Sequence, residues 1–124
     1  MSTAEMFQSI YDIIQDFVSG EYKRLLYAAA FTQGSYQMRL YIDNGEGWVD
    51  CRSLDYSRSD VIKLYMKLNS AIKPYRSTLP EKELWTMLTL VIEDTGKFKA
   101  DFCYDDLSES MIEHFEQWEN KYLS

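Results

Sequence analysis

Apolar residues recur at three- and four-residue spacing through the first eighteen positions: Met6, Phe7, Ile10, Ile13, Ile14, Phe17 and Val18. That spacing predicts an amphipathic helix with one wide apolar stripe. Ser2 followed three residues later by Glu5 has the form of a capping box, and Gly20 is placed to end the helix. The period then shortens to two. Residues 24–31 and 36–42 read as strands joined by the turn Thr32-Gln33-Gly34-Ser35. In the second strand Tyr36, Met38, Leu40 and Ile42 alternate with Gln37, Arg39 and Tyr41, which predicts one buried face and one wet face. The run Asp43-Asn44-Gly45-Glu46-Gly47 signals a turn, and residues 48–54 read as a third strand returning beside the second.

A second helix is expected from about Ser59, with Val61, Leu64, Tyr65, Leu68, Ala71 and Ile72 on its apolar face. Pro74 should end or kink it, because proline lacks the amide hydrogen that a helix interior uses. Residues 85–93 are apolar on both faces, which places that strand inside the sheet. Asp94-Thr95-Gly96 turns the chain into residues 97–104, where Phe98, Ala100, Phe102 and Tyr104 alternate with Lys99, Asp101 and Cys103. A last helix, capped near Asp106 or Ser108, is expected to bury Met111, Ile112, Phe115, Trp118 and Tyr122. The order α-β-β-β-α-β-β-α predicts an α+β fold: an antiparallel sheet of about five strands with helices packed on it. At 124 residues, with no repeat or linker, the chain is expected to form a single domain over 1–124.

Charge adds a second pattern. The net charge of −7 is unevenly spread. Residues 1–55 hold 8 acids and 4 bases, residues 56–82 hold 2 acids and 6 bases, and residues 83–124 hold 10 acids and 3 bases. An acidic chain repels phosphate backbones, so direct nucleic-acid binding is not expected, and its natural complement is a cationic protein surface. No apolar run reaches the length of a membrane span, and the first residues lack the basic start of an export signal. Cytoplasmic location, with Cys51 and Cys103 as reduced thiols, is the expectation.

Motifs for catalysis are missing. There is no Walker loop, nucleophile elbow, H-E-x-x-H pair or EF-hand loop, and Gly45-x-Gly47 fits a hairpin turn. His114 is the only histidine, so a metal or proton relay would need partners the sequence does not place beside it. A meeting in space between His114 and Cys51 or Cys103 stays open. Asp105 and Asp106 either hold a divalent ion with Asp101 or Glu109, or serve as helix cap and solvated neighbour; the capping reading is preferred. No cofactor, no metal and no enzymatic activity are expected. Glu109, Glu113 and Glu116 repeat at i, i+4 and i+7, lining one stripe of the last helix. Like charges at that spacing cost a few tenths of a kcal/mol, so folding does not ask for them. They are either a solvated face or a surface for a cationic partner.

Trp85-Thr86-Met87-Leu88-Thr89-Leu90, then Gly96-Lys97-Phe98-Lys99-Ala100-Asp101-Phe102, Tyr104-Asp105-Asp106-Leu107 and the ending Trp118-Glu119-x-Lys121-Tyr122-Leu123, resemble the YezG-type immunity proteins of bacterial polymorphic toxin systems. The chain departs from that pattern at Leu84, where the family often has proline. The resemblance implies an antitoxin that binds and neutralises a cognate toxin, typically a nuclease, without catalytic residues of its own. The expected contact set is Glu93, Asp94, Asp105, Asp106, Glu109, Glu113 and Glu116, covering the toxin's active site or substrate groove. The competing expectation is a cytosolic adaptor or secretion chaperone, which would hold its partner without inhibiting it.

Overall fold

In the computed structural model, residues 3–18, 21–32, 35–54, 56–105, 107 and 111–123 are described. They form α1 (Thr3–Phe17), β1 (Arg24–Thr32), β2 (Ser35–Asp43), β3 (Trp48–Asp50), α2 (Arg58–Arg76), β4 (Met87–Glu93), β5 (Phe98–Cys103) and α3 (Met111–Tyr122), with short 3-10 turns at Cys51–Ser53 and Glu81–Glu83. This is the expected α+β order. The five strands make one antiparallel sheet in the order β3-β2-β1-β4-β5.

The chain divides into two compact units, one of residues 1–21 and 51–84, the other of residues 22–50 and 85–124. In the first, α1 and α2 run antiparallel. Thr3 meets Tyr75 at one end through their hydroxyls, and Phe17 stacks on Tyr56 at the other with ring centroids 4.4 Å apart. The buried positions keep helical spacing: Met6, Ile10 and Ile14 on α1, with Val61, Leu64, Leu68 and Ile72 on α2. Ser57 caps α2, its hydroxyl accepting the Asp60 amide at 3.0 Å. Such a cap contributes about 1 kcal/mol. α2 ends at Arg76, two residues past Pro74 and close to where it was expected to end. Proline so close to the end removes one amide donor and little else. The carbonyls of the last turn are taken up locally, Pro74 by the Ser77 hydroxyl at 2.9 Å and Tyr75 by the Thr78 hydroxyl at 2.7 Å.

In the second unit β1 lies at the centre, and all of Leu25 to Phe31 is buried. β4 sits inside the sheet beside it, as its two apolar faces predicted. α3 lies along one sheet face, over Leu26, Ala28 and Ala30 of β1, Tyr41 of β2 and Met87 of β4, with Phe115 and Trp118 buried among them. The alanines matter here. A strand normally carries bulkier residues, and these small ones leave depth for two aromatic rings.

Several expectations need correcting. β3 stops at Asp50 and the chain coils into a 3-10 turn, burying Cys51 completely. β4 begins at Met87, not Trp85, although Trp85 is buried against Phe31 and Phe102. Tyr41 belongs to the expected wet face of β2 but is buried, because α3 covers it. Phe98, expected to point inward on an edge strand, is about half exposed. The caps expected at Ser2, Gly20, Asp106 and Ser108, and the residues Gln33 and Gly34 of the first hairpin turn, lie outside the described residues.

Candidate functional site

Strand register sorts the expected contact residues. On the face that carries α3, the row at one end of the sheet reads Trp48, Asp43, Arg24 and Glu93 across β3, β2, β1 and β4. The Arg24 guanidinium donates to Asp43 Oδ2 from Nε at 3.0 Å and from Nη2 at 2.6 Å, and lies 4.4 Å from the Trp48 ring centroid. Asp43 Oδ1 meanwhile accepts the Gly45 amide at 2.7 Å and the Gly47 amide at 3.2 Å. Those glycines have φ of 107° and 106°, a region that side chains disfavour, so one carboxylate organises the whole turn. The Arg24 hydrogen bond first, and the Gly45 amide next, hold the Asp43 carboxyl below its ordinary value.

Glu93 and Asp94 stand in this same corner. Arg24 is the cross-strand partner of Glu93, and the Lys97 carbonyl accepts the Glu93 amide at 2.8 Å. The Lys23 carbonyl does the same for the Asp94 amide at 3.0 Å. Lys99 follows on β5 and lines a hollow with Glu93 and Lys97. The two acids therefore stand near basic residues, with Arg24 across the β1–β4 pair from Glu93 and Lys97 and Lys99 lining the same hollow. Asp105 is elsewhere. It follows Cys103, the cross-strand partner of Met87, so the length of β4 (roughly 20 Å) separates it from Glu93. Asp105 is exposed, and its carbonyl accepts the Thr86 hydroxyl at 2.6 Å. Asp106 and Glu109 lie outside the described residues.

The remaining two, Glu113 and Glu116, are exposed on the outer side of α3. The inner side is fixed by an aromatic and polar seam. Trp118 Nε1 donates to Thr89 Oγ1 at 3.0 Å, and the Tyr122 hydroxyl donates to Asp101 Oδ2 at 2.7 Å. Burial first, and the Asp101 bond second, push the Tyr122 phenol up to about 12. Arg39 reaches the same seam, its guanidinium 4.6 Å from the Phe115 ring centroid. Because these contacts orient the helix, its outer stripe is held in one direction.

Ile112 is not inside, contrary to expectation: 75% of it is exposed. Helical geometry gives the reason. At about 100° per residue, Ile112 falls on the flank of Glu116 and Glu119, well away from the line through Met111, Phe115, Trp118 and Tyr122. The outer side of α3 thus presents one large aliphatic side chain beside Glu113, Glu116 and Glu119. The expectation missed this because it grouped apolar residues by type; counting positions from Phe115 finds it. On the opposite flank, His114 and Lys121 face β5, and His114 Nε2 lies 3.8 Å from Cys103 Sγ. The Cys–His meeting that sequence left open does occur, with Cys103.

Among the described residues no group of three or more histidine, cysteine, aspartate or glutamate side chains could hold a metal ion. Among them, too, no helix is long and apolar enough to cross a membrane. The model of the family described as "Immunity protein YezG-like" matches residues 3–124. A curated relative, "Immunity protein YezG" of Bacillus subtilis (strain 168), is 26% identical over 130 residues, covering 96% of this chain and 86% of its own. A match that spans both units, helices and sheet alike, settles kinship, and this chain belongs to the YezG-like immunity protein family.

Proposed function

We propose that this immunity protein neutralises a cognate nuclease toxin by laying the outer side of α3 over the toxin's cationic active site or substrate groove. It acts as a stoichiometric binder, in the cytoplasm, without a cofactor and without touching nucleic acid or membrane itself. The observation that carries this reading is the pairing of Glu113 and Glu116 with exposed Ile112 on a helix face held rigid from below. Protein interfaces combine a desolvated apolar anchor with surrounding charge that steers encounter. A nuclease must bind phosphate, so its groove is the kind of surface that accelerates association with carboxylates. Glu109 extends the stripe by its spacing in the sequence, and Asp105 and Asp106 precede it.

The test is co-expression with the toxin encoded beside this gene, combined with binding kinetics on the purified pair. Reversing Glu113 and Glu116 to lysine should slow association by about tenfold or more, and the loss should shrink as salt rises. Ile112→Ala should leave association intact and speed dissociation by roughly tenfold, the signature of a lost anchor. Unchanged protection and unchanged rates in both variants would place the contact surface elsewhere. A toxin that spares DNA and RNA would remove the nuclease part of the reading.

A further inference from the structure

A shallow cleft of about 220 Å³ runs between β5 and the β5-facing flank of α3. Asp101, Cys103, His114, Gln117, Lys121 and Tyr122 are among the side chains that line it. Cys103 is half-buried there, while Cys51, the other thiol, is fully buried in the first unit. Cys103 Sγ sits 3.8 Å from His114 Nε2, within hydrogen-bond reach for sulfur. The immunity role uses neither side chain.

We propose that Cys103 is a modification site, a thiol that His114 activates for exchange with a low-molecular-weight disulfide entering this cleft. The chemistry is balanced by the two partners named. Cys103 passes its proton to His114 Nε2, leaving a thiolate beside an imidazolium. The thiolate attacks one sulfur of the incoming disulfide; a new sulfur–sulfur bond forms to Cys103 as the old one breaks. The departing thiolate takes the proton back from His114 and leaves as the free thiol. No other oxidant enters, since the incoming disulfide is itself reduced.

Among the described residues that line the cleft, the charged and titratable groups beside the pair are Asp101, Lys121 and Tyr122. From β5 comes Asp101, whose carboxylate is engaged by the Tyr122 hydroxyl at 2.7 Å; from α3 come Lys121 and Tyr122 themselves. β4 contributes only Met87 and Thr89. Lys121 and Asp101 thus place one cation and one carboxylate in the cleft beside the pair.

The experiment treats the whole native chain with glutathione disulfide and maps adducts by peptide mass spectrometry across a pH series. Cys103 should carry the adduct while Cys51 stays free until the chain is unfolded. At pH 7 the folded protein should react about tenfold faster at Cys103 than the urea-unfolded chain. His114→Gln should slow the reaction about tenfold at pH 7, with its circular dichroism spectrum unchanged. That deficit should close by about pH 9.5, where a thiol ionises without help from a base. Folded Cys103 reacting no faster than unfolded Cys103 would overturn the proposal, and so would a variant deficit that stays constant across the pH series.

Discussion

The two ends of one sheet face hold carboxylates that meet opposite fates. At the open end, Glu93 and Asp94 share a corner with Lys23, Arg24, Lys97 and Lys99, and Arg24 is itself pinned by Asp43. At the covered end, α3 roofs the sheet through Trp118 and Tyr122, and its outer side carries Glu113 and Glu116 beside Ile112. The same number of acids gives a mixed corner in one place and an acidic face in the other. What decides is register: strand pairing brings basic residues from β1 and β5 to Glu93, whereas the helix places its only lysine, Lys121, on a different flank from its glutamates. A count of charges along a segment cannot distinguish the two.

Removing the roof is the largest test of that contrast. Trp118→Ala deletes a buried ring from the cluster over Ala28 and Ala30 and removes the indole donor to the Thr89 hydroxyl. Trp-to-Ala changes in cores cost about 3–5 kcal/mol, so denaturant unfolding should show a loss of that size. Toxin protection should fall with it, because the glutamate stripe loses its orientation. A smaller loss, with protection intact, would mean that α3 is held by something other than this seam.

Next in size is the charge reversal on the covered end. With Glu113 and Glu116 both changed to lysine, affinity for the toxin should drop about tenfold to a hundredfold, while unfolding free energy stays within about 0.5 kcal/mol because both side chains are exposed. The two measurements together separate a binding surface from a structural one.

The two ends should also fail at opposite extremes of pH. Asp43 has a carboxyl lowered by Arg24 and Gly45, so its contribution is present above the ordinary carboxylate value and is lost as pH falls through its depressed one. Tyr122 is raised from 10.0 to about 12, so the unfolded chain ionises first; stability is intact below pH 10 and declines between pH 10 and about 12. Thermal unfolding of Asp43→Asn should lose part of the acid-side slope only, and Tyr122→Phe part of the alkaline-side slope only. A variant that changed both sides equally would refute the assignment of each limb to one end.

Much of the frame was legible in the sequence because it rests on strong periodicity. The two apolar faces of β4 placed it inside the sheet, and the stripe of α1 survives as Met6, Ile10 and Ile14. What was not legible depends on neighbours distant in sequence. Tyr41 is buried only because α3 lies over it, and β3 ends early where Cys51 turns inward, a change no residue in 48–54 announces. The candidate surface was half legible. Helical spacing groups Glu113 with Glu116 on one exposed side, but chemistry alone assigns Ile112 to the core.

The smallest expected effect is the most discriminating control. Changing Glu93→Lys together with Asp94→Lys reverses two carboxylates, and so equals the reversal on α3 in total charge. If net charge alone drives toxin association, both double variants should be impaired alike. If the local field governs it, the corner variant should shift affinity by less than about threefold, since Arg24, Lys97 and Lys99 already stand beside these acids. Its stability should fall slightly, by about 0.2–1 kcal/mol, because the lysine introduced in place of Glu93 would face Arg24 directly across the β1–β4 pair. Equal losses in the two variants would dissolve the contrast between the ends; a loss confined to α3 would leave the helix face as the surface that meets the toxin.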